Sequence, residues 1–241
     1  MAPMKTNAAF FYVAILVILL VAGSTLFLRS SYFTIQNIKV EGLDQIPQLE
    51  IDRLMSSAKG QNIILVDQES LRKKVTLHPL VKSIQFKRQF PQTLVAQVTE
   101  RTPVALVVVP NGVVKVDDQG IFLQRSEGWP DHSYPVINGV TIPDTAGPGQ
   151  ELKLPGLEAA LLLLQESPSE ILPLIGEVYV NPIEQITLYL TSGVEVRLGQ
   201  AQDWKDKLAG LYQLLNDPGY KTVENGVRYI DFTAAKPVIG R

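Results

Sequence analysis

The chain has 241 residues, 46% of them hydrophobic and 19% charged, with a formal net charge of −2 and no cysteine. The missing thiol excludes disulfides, thiol catalysis and Cys-ligated zinc, and the length carries one anchor and one or two domains. With no basic run longer than Arg72-Lys73-Lys74 and no RNP-like aromatic motif, nucleic acid is excluded as an expected partner.

From Ala8 to Leu28 the sequence AAFFYVAILVILLVAGSTLFL holds no charge. As a helix this run is about 32 Å long, the thickness of a bilayer's hydrocarbon core. Phe10, Phe11 and Tyr12 suit one interface, and Lys5 and Arg29 bracket the run. A cleaved secretory signal, cut at Ala22-Gly23-Ser24, is the rival reading; apolar residues continuing through Leu28 exceed an ordinary signal core and favour the anchor. Lys5 and the amino terminus barely outweigh Arg29, so charge counting only leans the N-terminus towards the cytoplasm. Both readings place the bulk of the chain outside it. Residues 30–103 hold 10 basic against 7 acidic side chains, and residues 104–241 hold 10 against 17. The basic part next to the apolar run suits an anionic membrane surface, and two ordinary solvated surfaces explain the split equally well.

After Ser30-Ser31, the apolar Phe33, Ile35, Ile38 and Val40 predict a strand over Phe33–Val40, closed by Glu41-Gly42. Ile51, Leu54, Met55 and Ala58 stand at helical spacing over Gln48–Ala58, with Gly60 just past the end. Asn62–Val66 is a short apolar link. Asp67 is placed to N-cap a second helix whose Leu71, Val75 and Leu77 face inwards, stopped by Pro79. Period-two patterning then runs through Ile84, Phe86 and Arg88, and through Leu94, Ala96, Val98 and Glu100, either side of Phe90-Pro91-Gln92. The order strand, helix, helix, strand, strand predicts two helices on one face of a three-stranded sheet.

Val104–Val109 and Val113–Val116 flank Pro110-Asn111-Gly112, a hairpin signal, and Asp117-Asp118-Gln119-Gly120 turns into Ile121-Phe122-Leu123. Ser126–Pro148 reads as a long Gly- and Pro-rich connection. Leu157–Gln165 is a helix that is apolar all round and so deeply packed. Strands follow at Glu177–Val180, Ile186–Thr191 and Val194–Leu198. Asp203 is placed to N-cap a helix with Trp204, Leu208, Leu211, Leu214 and Leu215 on one face, and strands over Val227–Phe232 and Thr233–Gly240 close the chain.

No arrangement in the sequence specifies catalysis. The two histidines, His78 and His132, have no acidic or hydroxyl partner fixed by spacing, and His78 beside Pro79 reads as capping or packing. Asp117-Asp118 before Gln-Gly reads as a solvated turn in preference to a metal pair, and Asp203 with Asp206 as a helix start in preference to an acid pair. The nucleophile-elbow, zinc-protease, Walker and dinucleotide patterns are absent.

Several short motifs are informative in combination. Ile38-Lys39-Val40-Glu41-Gly42 resembles the "V-x-G" strand end of a POTRA domain, and His78-Pro79-Leu80-Val81-Lys82 its "hPWV" segment, with Leu80 where many relatives carry Trp. Arg88-Gln89-Phe90-Pro91 resembles its "R-x-(W/F)-P" turn, and Glu100-Arg101-Thr102-Pro103-Val104-Ala105 its "E-R-x-P-V-A". One such domain behind one anchor resembles the FtsQ/DivIB cell-division family. Further along, Asp117–Leu123, Pro135-Val136-Ile137-Asn138-Gly139, Val196–Gly199 with Lys207-Leu208, Val227–Phe232 and Lys236–Ile239 are similar to that family's later motifs. The fold expected is α+β: a transmembrane helix, a β-α-α-β-β POTRA domain, then a mixed β domain with flanking helices. Its expected division is a cytoplasmic tail over 1–7, the membrane helix over 8–28, the POTRA domain over 33–103 and the β domain over 104–241.

If the chain ends on a strand at Thr233–Gly240, only Arg241 follows, and an exposed edge is a template for adding a partner's strand. The resemblance implies that this strand recruits FtsB-like and FtsL-like membrane-anchored coiled coils, with Thr233, Ala235, Pro237, Val238 and Ile239 as contact residues. The rival is that this strand simply completes the sheet. The function implied is a non-enzymatic, single-pass scaffold at the division septum of the bacterial inner membrane. It links such partners and the septal peptidoglycan machinery, with no cofactor, metal or small-molecule substrate. The alternatives are a POTRA-containing secretion or outer-membrane assembly accessory that binds extended polypeptides, and an exported enzyme on an unfamiliar β scaffold.

Overall fold

In a computed structural model, the structure describes residues 8–129, 134–200, 203–234 and 236–241. The chain separates into two compact units, Met1–Glu100 and Arg101–Arg241.

In the first unit, helix α1 covers Ala8–Leu28, as the apolar run requires. None of the span Phe10–Leu28 is buried against protein, so it is long and apolar enough to cross a membrane. A 3-10 turn, Ser31–Phe33, leads to strand β1 (Asn37–Glu41). Helix α2 (Gln48–Met55) tightens into a 3-10 turn at Ser56–Ala58, and α3 (Gln68–Val75), β2 (Val81–Gln89) and β3 (Thr93–Glu100) follow. Strand β3 lies in the middle, parallel to β1 and antiparallel to β2. Ile51, Met55, Leu71 and Val75 from the two helices pack with Ile84, Leu94, Ala96 and Val98 of the sheet. Asp67 caps α3 as its position predicts: one carboxylate oxygen accepts the N–H groups of Glu69 and Ser70, each at 3.1 Å.

Two expectations for this unit change. The strand begins at Asn37, not Phe33, because Phe33 closes the 3-10 turn and Ile35 drops into the core. Leu77 is 78% exposed: α3 stops at Val75, and the following turn carries Leu77 off the apolar face.

The second unit contains strands β4 (Ala105–Val109), β5 (Gly112–Val116), β6 (Phe122–Glu127) and β7 (Val136–Asn138), then helix α4 (Pro155–Glu166). Strands β8 (Ile175–Val180), β9 (Ile186–Leu190) and β10 (Glu195–Gly199) precede α5 (Trp204–Asn216), the single turn α6 (Pro218–Lys221), β11 (Tyr229–Asp231) and β12 (Val238–Gly240). They form one nine-stranded sheet in the order β12-β11-β10-β9-β8-β7-β4-β5-β6. Most neighbours are antiparallel; β7 is parallel to both β4 and β8, and β11 is parallel to β10. Leu157, Leu163 and Leu164 of α4 and Trp204, Leu208 and Leu211 of α5 pack on Ile137, Val178, Leu188, Val196 and Ile230.

The connection read over Ser126–Pro148 holds β7, which joins the two halves of the sheet. Its three residues are too few to display a period, and parallel pairing on both sides needs no hairpin signal. Helix α4 is not apolar all round in its burial, since Leu162 faces solvent. Asp203 sits at the start of α5 with a φ of 55° and makes no side-chain capping bond. The final strand is also shorter than Thr233–Gly240, beginning at Val238.

Asp117 corrects the solvated-turn reading most clearly. It is 1% exposed, one oxygen accepts the N–H groups of Gln119 and Ile121, and the other pairs with the Arg101 guanidinium. A buried carboxylate so fully bonded organises the β5–β6 turn and is not free to take a metal ion. Glu100 does comparable work in the first unit, accepting the N–H groups of Asp44, Gln45 and Ile46 at 2.9, 2.8 and 3.0 Å. Burial pushes this carboxyl up, but the three backbone donors and the nearby His78 outweigh it and hold it below its ordinary value.

Two measurements check this account. Gly42 and Gly60 share a φ of +84°, yet a Cβ on Gly42 would stand 2.1 Å from the Val98 carbonyl oxygen, whereas one on Gly60 meets nothing within 4 Å. Chemical denaturation is expected to show Gly60→Ala losing about 1 kcal/mol and Gly42→Ala clearly more. A depressed folded-state pKa stabilises above the unfolded value and loses that contribution as pH falls through the folded one. The wild type's stability advantage over Glu100→Gln is therefore complete above 4.5 and shrinks below it, read from unfolding midpoints across pH.

Candidate functional site

A sheet must end somewhere, and its end strands have backbone groups without a strand partner on one side. At one end, β6 is bonded at its first residue by the segment that follows: the Phe122 N–H donates to the Gln150 carbonyl at 2.9 Å and the Gly149 N–H to the Phe122 carbonyl at 2.7 Å. At the other end, β12 pairs antiparallel with β11 through Gly240–Tyr229, Ile239–Ile230 and Val238–Asp231. Among the described residues, no strand lies on the outer side of β12.

The sequence shapes this edge locally. Ile230 is fully buried and fixes β11 on the core, so its cross-strand partner Ile239 lies on the core-facing side while Val238 and Gly240 lie on the opposite side. Val238 is nonetheless 49% exposed and Ile239 39%, as expected of apolar residues on an end strand. Gly240 is needed for close approach: a Cβ there would fall 2.1 Å from Cε1 of the Tyr229 ring. The Arg197 guanidinium lies 4.5 Å from the centroid of that same ring and bonds Glu195 Oε1 at 2.7 Å. The guanidinium also stands 3.9 Å from Asp231, and the Glu195 hydrogen bond and charge raise the Arg197 pKa above its ordinary value.

The structure sorts the five sequence-expected contact residues. Val238 and Ile239 form the edge, and Pro237 precedes it, exposed. Thr233 belongs to the bend after β11, where its hydroxyl and N–H both donate to Asp231 Oδ1, at 2.6 and 2.8 Å. Those two bonds, the hydroxyl's first, outweigh burial and, with Arg197, hold the Asp231 carboxyl below its ordinary range. Ala235 lies outside the described residues. Sequence reasoning missed Arg197, Tyr229, Asp231 and Gly240; the period-two spacing of Tyr229 and Asp231 within the strand expected over Val227–Phe232 is the signal that could have found that pair.

The residues weighed for catalysis do other work. His78 Nε2 lies 2.9 Å from Glu50 Oε2, and its Nδ1 accepts the Leu80 N–H at 3.3 Å, tying the start of α2 to the approach to β2. His132 lies outside the described residues. Among the described residues, no group of three or more His, Asp or Glu side chains is placed to hold a metal ion.

Comparison with known proteins gives two family matches: "POTRA domain, FtsQ-type" over residues 33–101, and "Cell division protein FtsQ/DivIB, C-terminal" over residues 105–232. Strand β12 lies beyond the second match. Among curated proteins, the cell division protein FtsQ of Anaeromyxobacter sp. (strain K) is 32% identical over 78% of this chain and 64% of its own length. The chain thus spans less than two thirds of that relative. The FtsQ of Syntrophotalea carbinolica is 31% identical over 90% of this chain and 77% of its own length, and that of Myxococcus fulvus 27% over 85% and 72%. A solved structure of the major extracytoplasmic domain of DivIB from Geobacillus stearothermophilus matches 54% of this chain and 98% of its own, at 18% identity and a TM-score of 0.35.

Replacing the Thr233 hydroxyl removes the bond that favours ionised Asp231. Thr233→Val is expected to raise the Asp231 titration midpoint, read by carboxyl NMR, with Ile230 still buried.

Proposed function

The chain belongs to the FtsQ/DivIB cell-division protein family, and we propose that it acts as a non-enzymatic scaffold of the division machinery, holding its partners by strand addition to β12. The observation that carries this reading is the outer edge of β12, which has no strand on it among the described residues and offers exposed Val238 and Ile239. A partner strand laid there gains backbone hydrogen bonds that do not depend on its sequence. Side chains alternating against Val238 and Ile239 give selectivity.

In this reading the partners are FtsB-like and FtsL-like membrane-anchored coiled coils, and through them the septal peptidoglycan machinery. The chain is a single-pass protein of the inner membrane: α1 spans it, residues 1–7 are cytoplasmic, and the POTRA domain over 33–103 and the β domain over 104–241 lie outside. It works at the septum. The family membership supports the division role, and the length and apolarity of α1 support the anchor. The contact set is Val238, Ile239 and Pro237, with Thr233 shaping the bend and Ala235 completing the segment.

A fluorescent protein fused ahead of Met1 in dividing cells, with an FtsB-like partner tagged in a second colour, tests this. The wild type is expected at midcell before constriction, with the partner joining it. The double variant Val238→Glu with Ile239→Glu is expected to fold and reach midcell yet lose partner affinity by about tenfold or more. Full partner recruitment by that variant contradicts strand addition at β12, and uniform envelope fluorescence of a functional wild-type fusion contradicts the division role.

A further inference from the structure

The end of the first unit where α1 leaves its span carries an apolar surface that the β12 edge does not use. Phe27, in the last turn of α1, stacks with Tyr32 at 6.0 Å between ring centroids and meets Phe33 edge-on at 5.4 Å. Phe33 in turn meets Tyr32 at 5.2 Å and Phe90 at 6.1 Å, both edge-on. Phe33 is partly buried against the core, while Phe27, Tyr32 and Phe90 are each more than half exposed. The chain of rings therefore runs from the apolar helix itself to the tip of the β2–β3 turn.

Hydrogen bonds draw a third segment to the same place. The Asn62 side-chain amide donates to the Leu28 carbonyl at 2.8 Å, giving the end of α1 a partner for one of its free carbonyls. From the other side, Arg88 Nε donates to the Ile63 carbonyl at 2.7 Å, two residues before Phe90. The link over 62–66 is thereby held between the helix end and the β2–β3 turn, and its Leu65 is 63% exposed. Exposed basic residues, Arg29 directly after α1 and Lys87 near the end of β2, lie close in sequence to these apolar groups.

Exposed aromatics continuous with a membrane-length helix, with exposed basic residues close in sequence, have the composition of a membrane–water interface. We propose that Tyr32, Leu65 and Phe90 sit in the interfacial layer of the bilayer that α1 crosses, so that the small domain lies against the lipid surface. The inference rests on the reading that α1 spans the membrane. The occupant is the lipid headgroup and upper acyl region, because the apolar surface begins on Phe27, within the span itself.

The absence of native cysteine makes the test direct. The full chain, carrying Ile18→Cys, Leu65→Cys, Phe90→Cys or Leu77→Cys singly and labelled with an environment-sensitive nitrobenzoxadiazole dye, is reconstituted into phosphatidylethanolamine–phosphatidylglycerol vesicles. Leu77 precedes β2, at the end of that strand remote from Phe90, and serves as the water-exposed reference. Labels at 65 and 90 are expected to be quenched by acyl-brominated lipid and to be about twofold or more less accessible to aqueous iodide than the label at 77. Positions 65 and 90 report separately, so a folding defect at one leaves the other as a readout. If 65 and 90 behave like 77 while 18 is reached by lipid alone, the proposal fails and the span stands. If 18 is itself reached by iodide, the spanning reading fails, and the proposal with it.

Discussion

The function proposed for this protein depends on a simple constraint: a β-sheet that does not close has two edges, and the backbone groups on an edge need partners. Here the two ends of one nine-stranded sheet differ. The β6 end is bonded by the 149–150 segment at its first residue, Phe122, and the β12 end has no strand on it among the described residues. What lies behind β12 is firm. Ile230 is buried, β11 is tied in parallel to β10, and Tyr229 lies against Gly240 on one strand and Arg197 on another. A short strand on a rigid support is well suited to gain a neighbour, because little order is left to impose on the receiving side.

The passage between the two units shows the same principle in a closed form. Adjacent residues, Glu100 and Arg101, serve different units. Glu100 gathers three backbone N–H groups of the 44–46 segment, and Arg101 neutralises buried Asp117. Each charge is satisfied within its own unit, so the dipeptide at the boundary has structural work on both sides. The acidic pair at Asp117-Asp118 thereby loses its apparent chemical meaning: the buried member is fully engaged in a turn and an ion pair.

Much of this was legible because periodicity and punctuation agree in the sequence. The run Ala8–Leu28, the Asp67 cap, and the two-residue hairpin loop with Asn111 at a φ of 68° all follow from local chemistry. Features decided by distant partners were not legible. Strand β7 has three residues and is defined by β4 and β8, far from it in sequence. Asp203 has the right residue type for a cap but a left-handed backbone that leaves its carboxylate without a capping bond. At the candidate edge, Val238 and Ile239, expected from the sequence to lie on a closing strand, do lie in β12. The role of Thr233 depends on Asp231, and the requirement for Gly240 depends on the ring of Tyr229. The first is a local i, i+2 turn that these residue types favour, whereas the second joins residues on separate strands and has no spacing signature.

The central claim, that β12 receives a partner's strand, is tested most directly by amide hydrogen exchange of the full-length chain in detergent or nanodiscs, alone and with an FtsB-like partner bound. Strand addition predicts new protection of the Ile239 amide, which points away from β11, with Val238, Gly240 and β11, already facing one another, little changed. Protection that appears on another surface, with the exchange of β12 unaltered by a bound partner, would contradict the account.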